Sequence, residues 1–199
     1  MRPSAFTRMH ALSKEEKELR LKEFIARDLN ARGKDGAAIE GSAAYRLVAL
    51  SIESPAARAL GALAPEITAH GIAIEVVFLC KVSLADAERT IPGLTCRVAN
   101  DRRLFDAHEQ LVLSAKDTWT GDCMRRDPHK RDAYECYGIN CVKTADWAAS
   151  SFARIWALAK PAGHGSTVRK PAETPEQAVV DASLIANPDA TPDPVALRH

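Results

Sequence analysis

Two apolar runs with a helical segment between them constrain the fold of this chain more than any other feature. The first run, YRLVALSI, covers residues 45–52, and the second, IAIEVVFLC, covers residues 72–80. Both are of strand length and nearly continuous, which is typical of strands buried on both faces. Between them, Ser54 and Pro55 have the types of an N-cap and a first helical residue, and Gly71 ends the helical pattern. The order strand, helix, strand predicts a βαβ unit with parallel strands.

A charged helix precedes this unit. Residues 12–32 begin with a capping box at Ser13 and Glu16. The segment has a narrow apolar stripe, which consists of Leu21, Phe24, Ile25 and Leu29. We interpret it as a solvated helix that packs one edge on the domain, with a partner-binding or dimerising helix as the alternative.

The segments after the βαβ unit complete the predicted domain. They are a short helix over 83–89, strands over 94–99, 111–113 and 133–137, and a helix over 144–159. The whole pattern predicts an α/β fold with a mostly parallel or mixed sheet flanked by helices.

The chain therefore divides into three predicted regions. Residues 1–39 are the charged helix and a linker, and residues 40–159 are the α/β domain. Residues 160–199 contain no aromatic residue and six of the eleven prolines, which predicts a disordered tail.

Composition excludes several classes of protein. The net charge of +1 gives no global field that would attract nucleic acid or an anionic membrane. No apolar run reaches the length of a membrane span, and the N-terminal residues have no apolar core of the signal-peptide type. Five irregularly spaced cysteines do not form a disulfide pattern. We expect a cytoplasmic protein with reduced thiols and no integral membrane association, and the absence of glycine-rich phosphate loops predicts no nucleotide cofactor.

The segment from residue 105 to residue 128 contains the strongest candidate for chemistry. His108 stands just ahead of the apolar residues 111–113, and a polar turn, Gly121 and a basic loop follow. A histidine at a strand edge that faces a glycine turn is a layout that presents an imidazole to a phosphoester.

The order of these segments resembles one half of the phospholipase D superfamily, over residues 45–158. The helix SPAARALGALAPEITAHG, the strand IAIEVVFL, the turn and strand PGLTCRVA, the histidine strand and the late helix SFARIWALA follow one another as in that family. The resemblance implies an α/β half-domain in which His108 is the catalytic nucleophile. It also implies a homodimer, because an active member needs two such motifs and this chain has one.

The chain departs from the family motif at several positions. Gln110 stands where the motif has its lysine, and Ala115 where it has its aspartate. The glycine comes one residue early, at Gly121, and the serine and asparagine positions hold Asp122 and Met124. Gln110 can donate a hydrogen bond to a phosphoryl oxygen but carries no charge to neutralise it. The departures favour a non-catalytic member, in which His108 is a satisfied structural residue.

The loop 123–132 offers a second candidate for phosphate binding. Arg125 and Arg126 have the fork geometry that matches a phosphate, although interleaved acidic residues also describe a self-neutralised surface loop. Few aromatic residues accompany this loop, so nucleic-acid binding has little support. The cysteines at 123, 136 and 141 lack zinc-site spacing, and we predict no metal while leaving their role open.

Three functions remain from the sequence. The first is a degenerate phospholipase D-like binding or regulatory module whose partner is a phosphoester ligand or a protein. The second is a homodimeric phosphodiesterase, of phospholipase or nuclease type, that uses His108 of two subunits. The third is an interaction protein that acts through its N-terminal helix and tail.

Overall fold

A computed structural model describes residues 13–35, 44–101, 103–104, 107–124 and 135–163. Seven strands form one open mixed sheet in the order β6-β5-β4-β1-β2-β3-β7. The strands are β1 (Ala44–Ala49), β2 (Ala73–Phe78), β3 (Leu94–Val98), β4 (His108–Val112), β5 (Thr118–Cys123), β6 (Cys136–Gly138) and β7 (Lys160–Pro161). The pairs β1–β2 and β2–β3 are parallel, and the other four pairs are antiparallel. The α/β prediction is confirmed.

The four described helices cover both faces of the sheet. They are α1 (Lys14–Asp35), α2 (Pro55–Ala69), α3 (Leu84–Thr90) and α4 (Val142–Leu158). Residues of α1, α2 and α3 share one core cluster with alternate strand residues such as Leu47 and Val76. The intervening strand residues, such as Val48 and Val77, form a second cluster with α4. This alternation follows from the two-residue period of a strand, which turns successive side chains to opposite faces.

The predicted βαβ unit is confirmed as β1, α2 and β2. The Ser54 side chain accepts a hydrogen bond from the backbone N–H of Ala56, and Pro55 begins the helix. Gly71 has a φ of 69°, in the left-handed region where glycine carries no steric cost, so the chain can turn directly from the helix into β2. The unit places the ends of β1 and β2 next to each other at one edge of the sheet.

Helix α1 packs on the domain through its predicted stripe. Leu21, Phe24, Ile25 and Leu29 are buried in the core cluster that also contains α2. The stripe is wider than the apolar pattern indicated, because Lys17 and Asp28 lie on the same face and are buried too. The four apolar side chains of the stripe cover the chain's own sheet, so they are not available as the contact surface of a dimerising helix.

Two strands, β5 and β7, were not predicted, and β4 and β6 have other bounds than the expected 111–113 and 133–137. The segment of β5 was predicted as a polar turn and a glycine, yet it pairs with β4 along its length and places Gly121 inside a strand. Residues 160 and 161 were predicted to begin the disordered tail, but they form β7 and pair with Val98 and Arg97. Ala162 is buried in the core cluster, so the chain stays against β3 as far as this residue. Residues 164–199 lie outside the described residues.

None of the helices in the described part of the chain combines the length and the apolar character that a membrane span requires.

Candidate functional site at the carboxyl edge of the sheet

Several buried polar side chains, among them Ser54, Glu109 and Glu135, lie at one edge of the sheet. The parallel strands β1, β2 and β3 all end at this edge. Strand β4 runs antiparallel to β1, with Gln110 opposite Val48, so His108 also lies there. Strand β5 ends beside His108, at Cys123. In open α/β sheets, ligands bind at the carboxyl ends of the parallel strands, so this is the edge to examine for function.

His108, the predicted catalytic residue, is exposed at this edge. Its Nδ1 atom lies 2.8 Å from the carbonyl oxygen of Gly121. A carbonyl oxygen only accepts hydrogen bonds, so Nδ1 carries the proton and donates it. The lone pair of the neutral imidazole is then on Nε2. The geometry fits a histidine satisfied by the backbone, and it leaves the ring in the tautomer that a nucleophile or a base would need.

Gln110, the residue at the lysine position, faces the interior. Its side chain is 3% exposed, and Nε2 donates to the carbonyl oxygen of Ala148 in α4 over 3.4 Å. The register of β4 against β5 is irregular between His108 and Gln110. Such an irregularity re-aims a side chain in a strand. Gln110 is therefore held against α4 while His108 is exposed.

The other predicted phosphate ligands, Arg125 and Arg126, lie outside the described residues, so their role stays a prediction.

Gly121 has a packing reason to be glycine. A Cβ atom at this position would lie 2.5 Å from Cζ2 of Trp119 and would also overlap its Cη2. Trp119 is completely buried in the core cluster that contains α1. The glycine therefore makes room for an indole on the same face of β5, which is a structural role and not that of a turn.

Glu109, the neighbour of His108, joins β4 to the start of α2. One carboxyl oxygen accepts the backbone N–H of Leu50 at 3.1 Å, and the other accepts the hydroxyl of Ser54 at 3.0 Å. The side chain is buried, and loss of hydration raises the pKa of Glu109 above the ordinary glutamate value. The two hydrogen bonds and the charge of Lys17 oppose this rise.

Lys17 brings a positive charge from α1 into the same region. Its Nζ atom donates to Oδ2 of Asp122 at 2.8 Å, and only 7% of its side chain is exposed. The ammonium also lies 6.0 Å from the ring centre of Trp119, at the limit of a cation–π contact. Its charge lowers the pKa values of Glu109 and Glu135, in opposition to the effect of burial. Lys17 thus fastens α1 to the edge of the sheet.

Glu135 completes a group that we call the carboxyl cluster, which consists of Glu109, Asp122 and Glu135. Burial raises the pKa of Glu135, while the charges of Lys17 and Arg20 and the nearby Trp119 indole lower it. Nη1 of Arg20 is 3.9 Å from Oε2 of this carboxyl group. Within the described residues, neither that oxygen nor Nε1 of Trp119 has a hydrogen bond of good geometry.

The carboxyl cluster determines what chemistry this edge favours. Three carboxyl groups lie with the cations Lys17 and Arg20, and Arg20 is half exposed. An anionic phosphoryl group gains from an excess of positive charge, and Lys17 and Arg20 do not outnumber the three carboxyl groups of the cluster. No group of three or more histidine, cysteine, aspartate or glutamate side chains in the described part of the chain is arranged to hold a metal ion. Cys123, Cys136 and Cys141 are not joined in disulfide bonds.

Sequence reasoning missed the carboxyl cluster and Lys17, although a signal for part of it exists. Lys17 lies four residues before Leu21, in register with the apolar stripe of α1, so the helical period alone places it on the buried face. Glu109 is a charged residue directly ahead of an apolar strand. Nothing local predicts that these residues meet, because their separation along the chain is large.

The sequence matches no protein-family model, and no curated protein is significantly similar to it. The functional interpretation therefore depends on the residues and the geometry described above.

Proposed function

We propose that this chain is a non-catalytic binding or regulatory module of the cytoplasm, related in layout to one half of the phospholipase D superfamily and acting as a homodimer. The order of its elements supports the relation, since an antiparallel histidine strand follows a parallel β-α-β-α-β segment.

The placement of Gln110 carries the proposal. A phosphodiesterase of this type needs a cation beside the nucleophile to neutralise the charge that develops on the phosphoryl oxygens. The residue at that position is neutral, 3% exposed and hydrogen-bonded to α4. Removal of one such electrostatic group costs about 10²–10³ in rate. We expect a phosphodiesterase without this cation to be slower by this factor, and we therefore propose binding as the role of the edge.

The surroundings of His108 support the same conclusion. Its sequence neighbour Glu109 and the nearby Asp122 are acidic, and Lys17 is engaged by Asp122 at 2.8 Å. A developing negative charge on a substrate would be opposed by these carboxyl groups.

A homodimeric phosphodiesterase is the second candidate, because one observation favours it. His108 is exposed, and the hydrogen bond between Nδ1 and the carbonyl oxygen of Gly121 orients its ring, as the ring of a nucleophile must be oriented.

Hydrolysis of bis(p-nitrophenyl) phosphate by the full chain separates the two candidates. Wild type and His108→Ala are compared with His70→Ala. His70 is a matched control, since it is also exposed and its Nδ1 atom lies 2.8 Å from a backbone carbonyl oxygen, that of Glu66. We expect all three proteins to show the same background rate. A rate that disappears in His108→Ala and persists in His70→Ala would overturn the non-catalytic proposal and establish the phosphodiesterase.

A further inference from the structure

The ion pair between Lys17 and Asp122 joins two distant parts of the chain at a place that is shielded from water. Nζ of Lys17 lies 2.8 Å from Oδ2 of Asp122, and the two residues are 105 positions apart in sequence. Only 7% of the Lys17 side chain is exposed. The side chain of Lys22, which lies 2.7 Å from a carboxyl oxygen of Glu18, is 35% exposed. Lys17 is therefore held against a carboxyl group with far less water around it than Lys22 has.

A β-bulge brings a third ionisable side chain to this pair. Between two paired positions, β4 has the single residue Glu109, whereas β5 has both Gly121 and Asp122. An extra residue of this kind bends its strand and re-aims a side chain. Side chains at the same level on neighbouring strands have Cβ atoms about 4.5–5.5 Å apart. Glu109 is therefore a neighbour of Asp122 across the two strands, and the charges of Lys17 and Asp122 both act on the pKa of Glu109.

Glu109 has the properties of a group that passes a proton between its neighbours. Its two oxygens accept hydrogen bonds from Leu50 and Ser54, which hold the carboxyl group in place, and each oxygen keeps a second lone pair. Burial raises the pKa of Glu109, so this carboxyl group holds a proton at a pH at which an exposed one has lost it. General acid and base transfer requires such a group.

We propose that Lys17 and Asp122 condense to an isopeptide bond that joins α1 covalently to β5, with Glu109 as the proton carrier. Nζ forms a bond to Cγ of Asp122, the bond from Cγ to one carboxyl oxygen breaks, and that oxygen leaves as water. The ammonium group supplies both hydrogens of the water. Glu109 takes a proton from the nitrogen and returns it to the leaving oxygen, so it ends in the state in which it began. The two opposite charges of the pair disappear together, and no oxidant or reductant takes part.

The fold supplies the proximity and the low water content that this reaction needs. Cγ of Asp122 is one bond of about 1.2 Å from Oδ2, so Nζ is within about 4 Å of the carbon that it attacks. Groups held in reactive geometry reach effective molarities of about 10⁵–10⁸ M. Burial favours an uncharged amide over two charged groups. The Asp122 side chain is 27% exposed, which gives the released water a way out. The reaction is slow because the ion pair must first give up its charges, so the freshly folded chain contains the ion pair.

The bond secures the N-terminal helix on the sheet. Because the joined residues are 105 positions apart, it constrains the unfolded chain over a long loop, as a disulfide bond does. An amide also persists under reducing conditions, in which cysteine side chains stay unpaired.

Mass spectrometry of the full chain, repeated during incubation of the purified protein, tests the bond. Wild type is expected to lose the mass of one water molecule, and its protease digest is expected to contain a branched peptide in which Lys17 is joined to Asp122. Lys17→Arg keeps the positive charge but has no amine nucleophile, and Glu109→Gln removes the proton carrier, so both should keep the full sequence mass. Lys22→Arg is the matched control, since Lys22 also contacts a carboxyl group but is more exposed, and it should lose water as wild type does.

Circular dichroism confirms that each variant is folded, and the wild-type digest decides the matter even where a variant fails to fold. A wild-type chain that keeps its full mass overturns the proposal. A loss of water that persists in Lys17→Arg also overturns it, because that water would come from another site. A loss that persists in folded Glu109→Gln overturns the role given to Glu109.

Discussion

Substitution of Gly121 by alanine is the sharpest test of the packing at the candidate site. The added Cβ would lie 2.5 Å from Cζ2 of Trp119, whereas carbon atoms pack at about 3.5–4.0 Å, so the indole or the strand must move by about 1 Å. Trp119 is completely buried, which leaves the ring no solvent-filled space to enter. Overpacking of this kind costs about 1–3 kcal/mol.

The overpacking should lower the free energy of unfolding by an amount near the upper end of that range, and the better fit of alanine to a strand offsets part of this loss. Alanine is otherwise more favourable than glycine inside a strand, by about 0.5–1 kcal/mol, and Gly121 does not have a positive φ that would strain the new side chain. We expect a net loss of about 2 kcal/mol in the free energy of unfolding. For a domain of this size the thermal midpoint should fall by about 4–8 °C.

Thermal and urea unfolding of the purified variants measure this loss. Gly163→Ala is the control, since a Cβ there meets no atom within 4 Å. A Trp119→Leu substitution shortens the overlapping side chain, so Gly121→Ala should cost less by about 1–2 kcal/mol in that background than in wild type. If Gly121→Ala leaves stability unchanged or raises it, the indole does not lie over this glycine and the argument for a structural glycine fails.

Three further results are expected. Lys17→Met removes the ammonium group from Asp122 and should lower the free energy of unfolding in urea by about 2 kcal/mol. This is below the 3–5 kcal/mol of a fully buried ion pair, because the Asp122 side chain is 27% exposed. Adding Asp122→Asn to Lys17→Met should recover part of the loss, and a larger loss in the double variant would contradict the pairing. Burial raises the pKa of Glu109, so the folded chain holds this proton to higher pH than the unfolded chain. The free energy of unfolding should therefore fall as pH rises above about 4.5, less steeply in Glu109→Gln, and equal pH slopes would contradict the assignment. Truncation after Gly163 should leave the thermal midpoint within a few degrees, whereas truncation after Ala159 removes β7 and should lower it clearly; equal midpoints would show that β7 does not contribute to stability.

Elements whose burial shows in the spacing of their own apolar residues could be predicted from the amino-acid sequence. The βαβ unit could be predicted because two continuous apolar runs enclose a capped helix, and α4 because its apolar residues repeat at helical spacing. The stripe of α1 was visible for the same reason. His108 was identified as the residue ahead of a strand, and the structure places it at the carboxyl edge of the sheet, where its ring is exposed.

Which polar residues form the candidate site depends on contacts between distant parts of the chain. Lys17 on α1, Glu109 on β4, Asp122 on β5 and Glu135 ahead of β6 come from four separate elements. A charged side chain is buried only where partners from elsewhere compensate the lost hydration, so its burial depends on contacts that no local pattern contains.

The same reason explains the two strands that sequence reasoning missed. β5 carries polar residues and a glycine, and β7 contains a proline, so neither has the composition of a strand. Each is a strand because a neighbour, β4 or β3, supplies the hydrogen bonds of its backbone. Apolar burial can be predicted one segment at a time, whereas strand pairing and charge compensation are properties of two segments and are determined only when the chain brings them together.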